Sequence, residues 1–115
     1  MINQDVFDKL LEIGGTDLAR KVIDLFLEHT PGKVQSLRTG LEQQDCKAIE
    51  RAAHSIKSSG ANLGLEELRQ LASELELAAN RGEFETCASL VPQLENACVA
   101  ADAALQVRQK EMGPL

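Results

Sequence analysis

Two histidines, three cysteines and a set of carboxylates are the residues of this 115-residue chain that could do chemistry, and they are unequally placed. His54 stands in the stretch AAHSIKSSGANLG (52–64), with Lys57 three residues on and the small residues Ser58, Ser59, Gly60 and Ala61 after it. Projected on a helix at about 100° per residue, Ile49, Ala52, Ala53, Ile56, Gly60 and Leu63 fall on one side as a core stripe. His54 falls near the opposite side, among Lys47, Glu50, Arg51, Lys57, Ser58 and Ala61. An imidazole on that face meets solvent. Free imidazole titrates near pH ~6.5, so a ring nitrogen lone pair is available at neutral pH. Such a nitrogen can take a phosphoryl group covalently and pass it on. Lys57, one turn away, can give that group charge-assisted hydrogen bonds. The small residues leave room for a partner to reach the ring. The competing reading is an inert surface histidine, the rule for an exposed histidine taken at random.

The other candidates are weaker. His29 continues the apolar stripe of its own helix, which predicts a packed or capping histidine. A di-iron bundle needs Glu-x-x-His pairs on two helices, whereas Arg51 precedes His54 by three residues and Phe26 precedes His29 by three. No metal site is expected. Cys46, Cys87 and Cys98 lie on or beside apolar stripes and read as small core residues. Glu74 and Glu76 read as a solvated face.

Helices must position His54. Residues 3–12 form a short helix with Asn3 as N-cap, stopped by Gly14–Gly15. Thr16 caps the next, with Leu18, Val22, Leu25, Phe26 and His29 on its apolar stripe. Pro31 either kinks that helix or opens a new one running to about Gln44. Asp45 caps the histidine helix over 46–61, and Asn62–Gly64 is a short break in which Gly64 or Asn62 takes unusual backbone angles. Residues 65–80 form the cleanest amphipathic helix, ended by Gly82. The last helix carries Phe84, Cys87, Ala88, Val91, Leu94, Cys98, Ala101 and Leu105, with Pro92 predicted to kink or split it. Residues 106–115 are expected to fray. No alternating strand of useful length occurs. The expected fold is all-α: one domain over 1–115, an antiparallel up-and-down four-helix bundle with a short additional N-terminal helix.

Composition narrows the function classes. Net charge is −6 and the only aromatics are three phenylalanines, which argues against nucleic acid, since phosphate backbones demand a basic surface and single strands demand stacking rings. An odd cysteine count without paired spacing suits a reducing compartment. No apolar run approaches the about 20 residues of a membrane span, and no signal peptide opens the chain. A cytoplasmic monomer is expected.

His54-x-x-Lys57, the small residues after it and Ala61-Asn62-Leu63-Gly64 together resemble the signature of histidine-containing phosphotransfer (HPt) domains. The resemblance extends over most of the chain, including the helix with Pro31 and the amphipathic 65–80 helix. It implies a four-helix bundle that relays phosphate between receiver aspartates, with His54 accepting it at Nε2 and Lys57 supporting the phosphorylated state. It also implies that Ser58 and Gly64 hold the family's small positions; Ser58 departs from a frequent glycine. The expected partners are receiver domains of a hybrid sensor histidine kinase and of a response regulator. They would dock on Lys47, Arg51, Ser58, Ala61 and Gly64. No cofactor is expected, Mg²⁺ belonging to the receiver. No Gly-rich phosphate loop or kinase box occurs, so the chain is expected to be a carrier without autokinase activity and not an enzyme. The alternative is a non-catalytic adaptor, a pseudo-HPt domain that binds receivers without phosphotransfer.

Overall fold

In a computed structural model describing residues 2–113, the chain forms four helices: α1 (Gln4–Glu42), α2 (Cys46–Asn62), α3 (Glu66–Asn80) and α4 (Phe84–Glu111). Each packs on two neighbours, α1 and α3 on α2 and α4, which is the cycle of a four-helix bundle. Three-residue connections make successive helices antiparallel. The bundle measures 43 × 21 × 18 Å. Among the described residues no helix is long and apolar enough to cross a membrane.

The helix ends share one device. After α2 the amide of Gly64 donates to Ala61 O (3.2 Å) and that of Leu65 to Gly60 O (2.9 Å). After α3 the amides of Gly82 and Glu83 do the same to Ala79 O and Ala78 O, and after α1 those of Gln44 and Asp45 to Leu41 O and Gly40 O. In this double-bonded turn the first residue beyond the cap adopts left-handed backbone. Gly64 and Gly82 supply it at φ 71°, and Gln44 at φ 53°. Asp45 then opens α2, its side chain accepting from the Ala48 amide at 3.1 Å.

The short N-terminal helix is present, as the pre-Gly15 part of α1. Asn3 caps it, accepting from the amides of Asp5 and Val6. At Gly15 the backbone leaves helical angles (φ 68°, ψ −164°). The chain turns sharply there: Gln4 bonds Arg108 and Asp24 bonds the next residue of α4, Gln109. A straight helix would separate residues 4 and 24 by about 30 Å. The turned-back segment lies on the α2–α3 turn, where the Asn3 amide donates to Gly64 O at 2.6 Å and Ile2 pairs antiparallel with Leu65. Phe7, 1% exposed, plugs the core there, with the Arg108 guanidinium 4.6 Å above its ring.

Three expectations change. Pro31 and Pro92 neither split nor break their helices, which keep helical angles through both. Both rings are exposed, so water can serve the carbonyls their missing amides leave free, and the cost of about 3 kcal/mol per proline is outweighed by the buried stripes on the opposite side. The tail expected to fray from residue 106 is helical through Glu111, with Leu105 buried and Arg108 held over Phe7; residues 114 and 115 lie outside those described. The stripe of α1 is rotated: Ala19, Ile23, Phe26, Thr30 and Leu37 are buried, whereas Leu25 and His29 are exposed. His29 is therefore not a packed histidine.

A Cβ at Gly64 would meet Asn3 O at 2.8 Å and Val6 Cβ at 3.0 Å, whereas one at Gly82 would meet nothing within 4 Å. Gly82→Ala should cost only the left-handed backbone, about 1–2 kcal/mol. Gly64→Ala should cost at least about 1 kcal/mol more and expose amides 3–10 to faster hydrogen exchange. Equal losses in urea unfolding would mean that the N-terminal segment is not held at Gly64.

Candidate functional site

Burial of Ile49, Ala52, Ala53, Ile56 and Gly60 on α2 orients everything opposite them. His54 faces outward, its side chain 60% exposed. The antiparallel register of α3 then decides what stands beside it. Asn80 Nδ2 donates to Glu50 Oε2 at 2.8 Å, and one turn further along both helices His54 meets Glu76, with Nδ1 2.7 Å from Oε2. The second carboxylate oxygen, Oε1, receives Lys57 Nζ at 2.5 Å. One carboxylate thus bridges the histidine and the lysine that sequence spacing had paired.

The hydrogen bond from Lys57 holds the Glu76 carboxyl below its ordinary range; partial burial works against this, and the His54 bond adds to it. An ionised Glu76 is an acceptor only, so the His54 nitrogen facing it must carry the proton. In the neutral ring that assigns the Nδ1–H tautomer and puts the lone pair on Nε2. The result is an oriented imidazole, with an ammonium held one turn away.

Lys47, Arg51, Ser58 and Ala61 are all exposed on the face of α2 that carries His54. Among the described residues neither Lys47 nor Arg51 has a carboxylate partner. Gly64 does not join them: it is buried beneath Asn3 and Val6, so its requirement for glycine comes from backbone angle and packing, not from a docking surface.

Two contributors escaped the sequence reading. Glu76, read as part of a solvated face, is the bridging carboxylate. The available signal was positional, since His54 and Glu76 lie equally far on either side of Leu65, the residue that caps the start of α3. The other is the α1 side of the ring. There Lys33 Nζ donates to Ser59 Oγ at 3.0 Å, and Val22, Leu25, His29 and Asn62 line the same cleft. A second cleft, toward the start of α2, is lined by Lys33, Ser36, Ala48, Arg51 and Ala52. Neither cleft contains a carboxylate, in a chain of net charge −6. Among the described residues no group of three or more His, Cys, Asp or Glu side chains is placed to hold a metal ion.

Known proteins resemble this chain in sequence and in fold. The family model for the Hpt domain matches residues 21–104. The multistep phosphorelay regulator 1 of Schizosaccharomyces pombe is 28% identical over 79 residues, 66% of this chain and 27% of that protein. The aerobic respiration control sensor protein ArcB of Escherichia coli is 29% identical over 76 residues, 66% of this chain and 10% of its own length. The chain thus spans well under a third of these curated relatives. The crystal structure of histidine-containing phosphotransfer protein B from Pseudomonas aeruginosa superposes with a TM-score of 0.89 at 24% identity, over 96% of this chain and 95% of that one.

A carboxylate whose pKa is lowered by folding stabilises the fold above its unfolded pKa of about 4.3, and the gain is lost as pH falls through the folded value. Wild type should therefore exceed Glu76→Gln in stability by about 0.5–1 kcal/mol at neutral pH. The margin should shrink steadily below about pH 4.3. A margin unchanged down to pH 3 in urea titrations would show that the Lys57 and His54 contacts do not hold the ionised form.

Proposed function

The chain belongs to the Hpt domain family, and from that membership we propose that it is a phosphocarrier of a multistep phosphorelay. It accepts a phosphoryl group on His54 from a receiver-domain aspartate and passes it to another receiver aspartate. The observation that carries this reading is the 2.7 Å contact between His54 Nδ1 and Glu76, with the opposite edge of the ring open to solvent.

In the proposed transfer the Nε2 lone pair attacks phosphorus in line, and the bond from phosphorus to the receiver's carboxylate oxygen breaks with its electrons going to that carboxylate. The ring gains positive charge, which spreads to Nδ1–H, where the Glu76 carboxylate stabilises it as a buried aspartate stabilises a catalytic imidazolium. Onward transfer runs the same step backwards: the N–P electrons return to Nε2 as the second receiver's carboxylate attacks. Lys57 moves from Glu76 Oε1 to a phosphoryl oxygen when the group arrives, so its charge is spent on whichever anion is present. Catalysis of the exchange belongs largely to the receiver, together with its Mg²⁺; this chain supplies an oriented nucleophile and a docking face and is not itself an autokinase.

Receiver domains of a hybrid sensor kinase and of a response regulator suit the names of the relatives, one a phosphorelay regulator and one a sensor protein. They dock over the α1–α2 side of His54. Lys47, Arg51 and Lys33 offer positive charge to an acidic receiver pocket, Ser58 and Ala61 offer close approach, and exposed Leu25 and Ile13 offer apolar surface.

The deciding experiment is phosphotransfer from a purified phosphorylated receiver. His54→Gln should take up no label; normal labelling would overturn the assignment, and unchanged receiver binding without label in wild type would make the chain a binding adaptor. Glu76→Ala should slow transfer about 10- to 100-fold, the worth of one charge-assisted hydrogen bond. The ¹⁵N spectrum of its His54 should lose the single Nδ1–H tautomer.

On the docking side, Ser58→Trp and Ala61→Trp should slow transfer with helicity unchanged. The double variant Lys33→Glu, Arg51→Glu should lower the association rate most at low ionic strength. Rates insensitive to all of these would move the docking face elsewhere.

A further inference from the structure

Helix α4 buries Leu94, Cys98, Ala101 and Leu105, and at about 100° per residue its opposite face carries Asn96, Val99, Ala103, Val107 and Lys110. All five are exposed, the two valines at 70% and 56%. Val99, Ala103 and Val107 recur every four residues, so they line up as one apolar strip and are not scattered surface side chains. From residue 96 to 107 the only charged side chain is Asp102, and its Oδ1 is buried instead of standing on the strip. Toward α3 the strip is bordered by Ala97, Ala100 and Ala104, which line a groove with Leu65 and Leu68.

The two ends of the strip differ in charge. Lys110 closes one end, and among the described residues it has no carboxylate partner. At the other end Asn96 borders a cleft that also holds Glu67 and Glu74 of α3. Neither carboxylate has a cationic partner among the described residues. Asn96 and Lys110 each lie seven residues from Ala103.

We propose that a second copy of this chain docks on this face, its α4 antiparallel to the first and meeting it at Ala103. A two-fold interface has to be self-complementary, and the strip meets that condition. Ala103 faces its own copy, Val99 faces Val107, and Val107 faces Val99. Lys110 of the second copy comes beside Asn96, where its ammonium reaches the cleft of Glu67 and Glu74, and symmetry makes the same contact twice. A parallel pairing would set Lys110 against Lys110, so charge selects the antiparallel one. Chains of net charge −6 repel each other, which confines association to a face that is uncharged at its centre and complementary at its ends. The alanines let the two helix axes approach to about 8 Å. The contact runs over residues 96–110, about 21 Å of helix, so it belongs with small interfaces of under about 1,200 Å² and gives a weak dimer. In the cycle of four helices α4 stands diagonally opposite α2. Both His54 rings therefore remain on the outside of the pair, and the proposal stands apart from the phosphocarrier reading.

The test is sedimentation equilibrium of the whole chain from about 10 μM to about 1 mM. The average mass should rise from 12.5 kDa toward twice that value. Ala103→Glu sets two carboxylates against each other on the two-fold axis. It should hold the mass at that of the monomer throughout, with the circular dichroism and melting temperature unchanged. Lys110→Glu should weaken association about 10-fold, and adding Glu67→Lys and Glu74→Lys should restore it. In a mixture of ¹³C-labelled and unlabelled chains, methyl contacts between copies should join Val99 to Val107. A monomer at every concentration, a dimer that survives Ala103→Glu, or contacts joining Val99 to Val99 would each overturn the proposal. Association that the charge reversal does not restore would overturn the Lys110 contact.

Discussion

The left-handed backbone at Gly64 is the constraint on which the rest of the molecule depends. It ends α2 by satisfying the carbonyls of Gly60 and Ala61, and it starts α3 two residues later. A turn this short leaves no freedom in how α3 lies against α2, so it sets the register that places Glu76 beside His54. Its carbonyl also receives the Asn3 amide, and its missing side chain makes room for Asn3 and Val6. One backbone torsion therefore places the carboxylate at the His54 ring and seats the N-terminal segment on the core.

A carboxylate beside a residue proposed to hold a phosphoryl group looks at first like a charge of the wrong sign. Geometry resolves this. Glu76 contacts the ring edge at Nδ1, and the proposed acceptor, Nε2, is on the far edge. In the proposed transfer the negative charge acts on the imidazolium that the reaction makes, and its repulsion of the phosphoryl oxygens keeps the N–P bond easy to pass on. Lys57, bound to the same carboxylate, shields part of that repulsion. A carrier works best when neither the empty nor the loaded state is a deep well, and two opposite charges sharing one site meet that condition.

The two flanks of His54 differ in sign. Toward α3 stand Glu76 and Glu50, each paired to a neighbour. Toward α1 stand Lys33, Arg51, hydroxyls and a few exposed apolar side chains, with no carboxylate lining the clefts. In the proposed docking, an acidic partner is attracted to one side and repelled from the other, so charge orients the encounter before contact is made. The sharp turn at Gly15 adds to this flank, since it leaves Ile13 exposed beside Val22 and Ala61.

Local chemistry was legible from residue order alone. The caps at Asn3 and Asp45, the stop at Gly82, the buried stripe of α2 and the outward placement of His54 all follow from rules that act within a few residues, and each stands as read. Where the reading failed, the competing force came from another helix. The prolines lost to packing along α1 and α4; the stripe of α1, amphipathic in more than one phase, was chosen by its neighbours, which turned His29 out. Gly64, expected to meet a partner, is covered by the chain's own N-terminus, and Glu76 had no local sign at all. The sequence by itself determined the helices, the bundle class and the outward-facing histidine, because periodicity and capping are short-range. Only the tertiary structure decided what that histidine touches, because a register between antiparallel helices is set by the turn joining them and the core between them.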